Sequence, residues 1–148
     1  MLHKFNKVTI INGPNLNLLG QRQPEIYGNQ GFNGFFKQLG DNFPTVDLIH
    51  VQSNIEGEIV TAIQQYGKES AIILNAGGYT HTSVAIADAI SGVGATVVEV
   101  HISNILAREP ERSRSLIASA CVGSISGLGL EGYRLALEFL TNGHENRS

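Results

Sequence analysis

The chain has 148 residues, of which 42% are hydrophobic, enough to form the core of a single domain. The formal net charge is -3 and the ten Lys and Arg residues are scattered, which argues against nucleic acid as a partner. Cys121 is the single cysteine, so no internal disulfide can form, and the first residues lack a signal-peptide pattern. No apolar run approaches the roughly 20 residues that span a bilayer. We therefore expect a cytoplasmic protein without a membrane partner.

Short β-branched runs alternate along the chain with segments of helical periodicity. Strands are predicted at residues 8–12, 46–51, 71–76 and 96–102, with a weaker fifth at 121–126. Apolar residues recur at helical spacing within 32–39, 55–63 and 84–90, and a last helix is predicted at 130–140. Near-continuous apolar strands of this kind indicate a parallel sheet covered on both faces.

The alternation βαβαβαβαβα with right-handed crossovers predicts an α/β, flavodoxin-like three-layer sandwich. Its five parallel strands are expected in the order 2-1-3-4-5. One domain would cover residues 1–148, with a lid or binding loop at about 20–28 and a frayed polar tail at about 142–148.

Polar residues follow three of the predicted strands at the edge where such a sheet binds its ligands. These segments are residues 12–15, 75–81 and 99–104, which supply Asn side chains and two histidines. Asn and Gly commonly end strands because they tolerate turn conformations, and that reading suffices for any one segment. The concentration at three neighbouring strand ends favours a polar ligand site.

Glu99 and His101 lie two residues apart on one predicted strand, so their side chains share a face. A carboxylate could then orient an imidazole for acid–base chemistry, the alternative being a solvated pair on an edge strand. His81 is predicted to open a helix, with Asp88 two turns further along the same face. An ordinary first-turn residue and a solvated helix face are the plain alternatives for His81 and Asp88.

Arginines and one tyrosine complete the set of candidate groups. Arg108 and Arg112 are four residues apart and could share a helical face, although a charged surface turn is the alternative. Arg22 and Tyr27 lie in the long loop after the first strand. A phenol is a poor base at neutral pH, but a nearby guanidinium stabilises the phenolate, so Arg22 could make Tyr27 a base.

Other chemistries find little support. The segment GLGLEG at 127–132 matches a dinucleotide-binding pattern, but the 16 residues that follow leave no room for the next strand and its acidic residue. There is no phosphate-binding G-K-[S/T] motif, and the histidines lack metal-ligand spacing. The lysines fall at or near the wrong edge of the sheet for an imine mechanism. We therefore expect no metal and no cofactor.

Four long motifs together resemble the type II 3-dehydroquinate dehydratases of the shikimate or quinate pathway. They are NGPNLNLLGQRQPEIYG, QSNIEGEI, NAGGYTHTSVAIADAI and EVHISNILAREPER, and the resemblance extends from residue 8 to about 140. It implies a flavodoxin-like subunit in a homo-oligomer, a dodecamer built from trimers. It also implies a hydro-lyase that removes water from 3-dehydroquinate by anti elimination through an enolate, without metal or imine.

The resemblance implies a catalytic role for five residues. Tyr27 is similar to the base that removes the proton next to the ketone, and Arg22 to the residue that lowers its pKa. Asn15 resembles the residue that holds a water against the enolate oxygen. His101, oriented by Glu99, resembles the acid that protonates the leaving hydroxyl.

The resemblance also implies the residues that bind substrate. Asn75 and the backbone amides of Ile102 and Ser103 are expected to hold the carboxylate. The remaining binding residues would be His81 and Arg112 at ring hydroxyls, Arg108 at the lid, and Asp88 at a neighbouring subunit's site.

The chain departs from the family's usual residues at Gln23, Ile55, Ala87, Leu106 and Glu111. None is a proposed catalytic group, so the departures bear on lid docking and on the completeness of the dodecamer.

The residues alone, without the family resemblance, leave two rival functions open. One is a flavodoxin-like module that binds flavin or nucleotide without chemistry of its own, and the other is a phospho-receiver domain. A binding module would not need the two acid–base pairs, and a receiver would need an acidic cluster and a strand-end lysine. The sequence leaves biosynthetic and catabolic use equally open.

Overall fold

A computed structural model describes residues 4–20 and 31–143. Its five parallel strands form one sheet in the order β2-β1-β3-β4-β5, which confirms the predicted flavodoxin-like topology. The strands are β1 (Lys7–Asn12), β2 (Asp47–Gln52), β3 (Ala71–Asn75), β4 (Val97–His101) and β5 (Gly123–Ser126). The α-helices are α1 (Phe32–Asn42), α2 (Glu56–Tyr66), α3 (Val84–Val93) and α4 (Glu131–Asn142).

The sheet is covered on both faces, because successive residues of each strand point to opposite sides. On one face Val8 and Ile10 pack with residues of α1 and α4, and on the other Ile11 packs with residues of α2 and α3. Full burial of one such aliphatic side chain contributes about 1.5–3 kcal/mol, so both cores stabilise the sheet. The β-branched runs in the sequence are explained by this two-sided burial.

Strand register places the functional ends of the strands side by side. Asn12 pairs with Gln52 on one side and with Asn75 on the other, and His101 pairs with Ser126. The ends of β1 and β3, where the strand order reverses, are therefore adjacent, as the flavodoxin-like order requires.

The connection from β4 to β5 differs from the predicted alternation, because it contains no α-helix. It holds three short 3-10 helices, Ile105–Ala107, Pro110–Arg112 and Ala118–Ala120. Pro110 lacks an N–H donor and the segment lacks a helical apolar stripe, so a continuous α-helix would be poorly stabilised there. Arg108 consequently follows the first 3-10 helix and does not share a helical face with Arg112.

A second correction concerns the start of α3. His81 ends a 3-10 helix, Gly77–His81, and does not open an α-helix. The chain turns extended at Ser83, whose side-chain oxygen accepts a hydrogen bond from the Ile86 N–H at 3.0 Å and so caps α3. The predicted common face of His81 and Asp88 is therefore wrong.

The glycines of GLGLEG serve local packing. Gly129 has a φ of +62°, and its N–H donates to the Ile102 carbonyl at 3.0 Å. A Cβ at Gly132 would lie 3.2 Å from Val100 and 3.4 Å from Ile125, so this glycine lets α4 approach the sheet closely.

Among the described residues, no helix is both long enough and apolar enough to cross a membrane.

Candidate active site

The loops that follow β1 and β3 are in direct contact. The Gly13 N–H donates to the Asn75 carbonyl at 2.7 Å, and a Cβ at Gly13 would lie only 2.5 Å from the Ala76 carbonyl oxygen. Gly77 has a φ of +60° and faces Pro14 across the same contact. The Gly and Pro residues after β1 are thus explained by close approach of two backbones.

Asn15 is held at the cavity by the loop after β2. It adopts the left-handed region with a φ of 71°, which Asn tolerates better than most residues. Its N–H donates to the Asn54 side-chain oxygen at 3.0 Å, and the Tyr79 hydroxyl donates to the Asn54 carbonyl at 2.7 Å. Asn54, which was not among the predicted site residues, therefore links the three loops.

A cavity of about 850 Å³ opens beyond the carboxyl ends of the strands. This volume lies in the range of small-molecule sites. Eight of the predicted site residues line it, namely Asn15, Asn75, His81, His101, Ile102, Ser103, Arg108 and Arg112. Glu111 and a set of apolar side chains that includes Leu16, Leu19 and Ile105 line it as well.

Glu99 lies behind His101 and is buried completely. Its Oε2 is 2.7 Å from the His101 Nε2 and accepts from the Ser115 hydroxyl at 2.6 Å, while Oε1 accepts from Ser124 at 2.5 Å. Since β4 is an interior strand and both side chains are at most 5% exposed, a solvated pair on an edge strand is excluded.

The environment of Glu99 keeps this carboxyl ionised. Burial by itself raises the pKa of Glu99, but hydrogen bonds from His101, Ser115 and Ser124 outweigh it and lower the pKa below its usual range. An ionised Glu99 accepts only, so the Nε2 of His101 carries a proton toward it. The second ring nitrogen, Nδ1, is left as the atom that can exchange a proton with a ligand.

His81 is fixed in a similar way. Its Nδ1 donates to the Arg114 carbonyl at 2.6 Å, because a carbonyl oxygen can only accept. In the neutral ring Nε2 is then an acceptor, and His81 lines the cavity. This arrangement suits a ligand hydroxyl that donates a hydrogen bond.

The two arginines line the cavity together with Glu111. The Arg108 Nη1 donates to the Ser103 hydroxyl at 3.3 Å, and the Arg112 Nε lies 3.1 Å from Glu109 Oε1. Both members of the second pair are more than half exposed, so the pair contributes little to stability and leaves Arg112 available to an anionic or hydroxylated ligand.

Two predicted site residues lie outside the described residues, and a third, Asp88, does not line the cavity. Arg22 and Tyr27, with residues 21–28 of the predicted lid, fall outside the described residues. Asp88 lies exposed on α3 and does not line the cavity of its own chain. Its role at a neighbouring subunit stays a prediction.

Sequence reasoning missed the two hydroxyls that hold Glu99. Ser124 pairs with Glu99 across the sheet, so a strand alignment would have found it. Ser115 lies in the irregular β4–β5 connection, where no periodicity gives its position.

A doubly wound α/β domain with a carboxylate-backed histidine in a strand-end cavity defines a small-molecule site equipped for acid–base chemistry. The family model described as dehydroquinase class II matches residues 6–141, and the chain belongs to that family.

Named relatives and solved structures agree with this assignment. A 3-dehydroquinate dehydratase from Exiguobacterium sp. is 47% identical over 142 residues, covering 95% of this chain and 98% of the relative. One from Fusobacterium nucleatum is 51% identical, covering 90% and 95%. The type II dehydroquinase structure from Propionibacterium acnes superimposes with a TM-score of 0.87 at 35% identity, covering 95% of this chain and 99% of that one. The corresponding structure from Butyrivibrio crossotus gives 0.86 at 38% identity, covering 93% and 99%.

Proposed function

We propose that this chain is a hydro-lyase that converts 3-dehydroquinate reversibly to 3-dehydroshikimate, in the shikimate pathway or in quinate catabolism. Membership of the dehydroquinase class II family and the names of its relatives support the substrate. The observation that carries the chemistry is the buried Glu99–His101 pair at the cavity, because elimination of water needs a positioned proton donor.

His101 is the acid of the proposed reaction. Glu99 occupies Nε2, so the proton that reaches the leaving hydroxyl departs from Nδ1. Glu99 holds the ring in one orientation and forms an ion pair with it when the imidazole is protonated. After the hydroxyl has left as water, His101 is neutral and Glu99 remains ionised.

Tyr27 is the proposed base, and it removes the proton next to the ketone to form the enolate. Arg22 lowers the pKa of the Tyr27 phenol by stabilising the phenolate. Both assignments rest on the family motif that contains these residues. Asn15 holds a water against the enolate oxygen, and its anchoring by Asn54 at the cavity supports this role.

The substrate carboxylate is assigned to Asn75 and to the backbone amides of Ile102 and Ser103, which all line the cavity. His81 and Arg112 bind ring hydroxyls, the first through the acceptor nitrogen described above. Arg108, which lines the cavity, is assigned to the lid and the ligand on the family resemblance. This set provides charge, donors and one acceptor for a polyhydroxylated carboxylate.

We further propose that the chain acts without a metal or cofactor, in the cytoplasm, as a dodecamer built from trimers in which Asp88 reaches a neighbour's site. These assignments come from the family resemblance. The Asp88 side chain is exposed on α3 and is therefore available for such a contact.

The test is to add 3-dehydroquinate to the purified protein and to follow the absorbance of the conjugated enone product. The parent should produce the enone, and His101→Asn should lose at least about a hundredfold in kcat if His101 is the acid. Glu138→Gln, an exposed charge change on α4, is the control and should match the parent. No enone from folded parent protein would overturn the proposal, and a flavin spectrum in that protein would favour a binding module.

A further inference from the structure

A chain of hydrogen bonds, buried except at its outer end, connects the cavity to the far side of β1. Asn75 Nδ2 lies 2.9 Å from the Tyr133 hydroxyl, which lies 2.7 Å from Asn12 Oδ1, and Asn12 Nδ2 lies 3.1 Å from His50 Nε2. Tyr133 is fully buried, and Asn12 and Asn75 are 1% and 4% exposed. Of these four residues, Asn75 alone lines the cavity.

The direction of every bond in this chain follows from its inner end, because the Gly77 N–H can only donate and lies 3.2 Å from Asn75 Oδ1. Asn75 Nδ2 therefore faces the Tyr133 hydroxyl, which accepts from it and donates to Asn12 Oδ1. The His50 ring packs 4.5 Å from Phe32 between centroids, and burial lowers the pKa of His50, which favours the neutral imidazole. Asn12 Nδ2 then faces His50, and the neutral ring accepts this bond at Nε2 in the tautomer that carries its proton on Nδ1.

The side-chain amide of Asn75 is therefore fixed from both ends. Its oxygen accepts from the Gly77 N–H at 3.2 Å, and one of its two N–H groups donates to Tyr133. The second N–H is left for a ligand in the cavity. A reversed amide would put a carbonyl oxygen toward the cavity, where it would repel a carboxylate.

We propose that Tyr133, held by Asn12, is a positioning residue that keeps the Asn75 amide turned so that an N–H group faces the substrate carboxylate. The inference rests on the role of Asn75 under the proposed function. The inference gives Tyr133, near the start of α4, an indirect part in substrate binding, because Tyr133 does not line the cavity itself.

The test removes the hydroxyl and keeps the ring. Tyr133→Phe retains the edge contact with Phe32, at 5.1 Å between centroids, but leaves Asn75 Nδ2 without its acceptor. We expect KM for 3-dehydroquinate to rise about tenfold while kcat stays within about threefold, the pattern of lost ground-state binding. Thr9→Val is the control, because it removes the buried Thr9–Ser70 hydrogen bond of 2.8 Å in the same sheet and should leave KM unchanged.

A double-mutant cycle separates positioning from general destabilisation. In an Asn75→Ala background, Tyr133→Phe should raise KM no further, because the group it orients is gone. An equal rise in both backgrounds, or a parental KM for Tyr133→Phe, overturns the inference and leaves the role of Asn75 intact. A parental KM for Asn75→Ala itself overturns both the inference and that role.

A second variant covers the case in which Tyr133→Phe does not fold. Asn12→Ala removes the acceptor that orients the Tyr133 hydroxyl, so that the hydroxyl can turn and donate to the oxygen of a reversed Asn75 amide. KM should again rise, and again only when Asn75 is present. A parental KM for folded Asn12→Ala overturns the proposed part of Asn12.

Discussion

Glu99 Oε2 lies 2.7 Å from His101 Nε2, and the two side chains are 0% and 5% exposed. A buried carboxylate is costly unless its oxygens are satisfied, and here two serine hydroxyls and the imidazole satisfy them. The pair therefore forms a fixed unit, in which one ring nitrogen is committed to the carboxylate and the other is available for chemistry.

Glu99→Gln should reduce kcat strongly while the protein stays folded. Gln keeps the size and can still accept from His101, but it carries no charge to balance an imidazolium. We expect kcat to fall about a hundredfold, within the range attributed to a positioned acid. Enone formation by the variant and by Glu138→Gln should be measured side by side, with circular dichroism for folding. Parental turnover by Glu99→Gln would show that the carboxylate is not required.

The same carboxylate should make the protein sensitive to acid. The pKa of Glu99 is lowered in the folded state, so its contribution to stability is complete above the ordinary value of 4.5 and is lost as pH falls through the folded pKa. Urea unfolding at a series of pH values below 6 should show a shallower loss of stability for Glu99→Gln than for the parent. Parallel curves for the two proteins would contradict this account.

His50 should also reduce the stability in acid, at a higher pH than Glu99, because it is a base that burial keeps neutral. Burial lowers its pKa, so the unfolded chain takes up the proton first as pH falls through 6.5. The free energy of unfolding should therefore decrease between neutral pH and the folded pKa of His50, and His50 should contribute no further change below that pH. His50→Gln, which can accept from Asn12, should lose this step in urea unfolding across that range.

The sequence predicted the parts of the site that depend on strand geometry. Glu99 and His101 were paired correctly because residues two apart on a strand share a face, and Asn75 was placed correctly because parallel strands end at one edge. The 3-10 segments after β4 were not predictable, because Pro110 and the serines break every periodic pattern. Tyr133 was hidden for a different reason, since it occupies a regular apolar position of α4 while its hydroxyl bonds a residue 121 positions away.

Asp88 tests the proposed assembly. If it completes a neighbour's pocket, Asp88→Ala should raise KM several-fold without unfolding the subunit, because substitution of an exposed residue usually changes stability little. Glu56→Ala, a carboxylate in the first turn of α2, is a control with an equal change of charge. Size-exclusion chromatography with activity across the peak is the measurement. A fully active monomer of Asp88→Ala would refute the shared site.

The loop after β1 supplies the last prediction, because the proposed base lies in it. Tyr27→Phe keeps the ring but deletes the ionisable oxygen, so turnover should fall at least about a hundredfold while a carboxylate-bearing product analogue still binds.

Arg22→Ala leaves the phenol and removes its cation, so the pKa of Tyr27 should return toward that of an ordinary phenol. The base form is the ionised one, and its fraction grows as pH rises through that pKa. The residual rate of Arg22→Ala should therefore keep rising further into the alkaline range than the parent rate does, whereas Tyr27→Phe should show no such rise. The pH dependence of the rate should be measured for the parent and both variants, with circular dichroism at each pH to confirm folding. Near-parental turnover by Tyr27→Phe would place the base on another residue, because the phenyl ring retains the bulk of the tyrosine but cannot accept a proton.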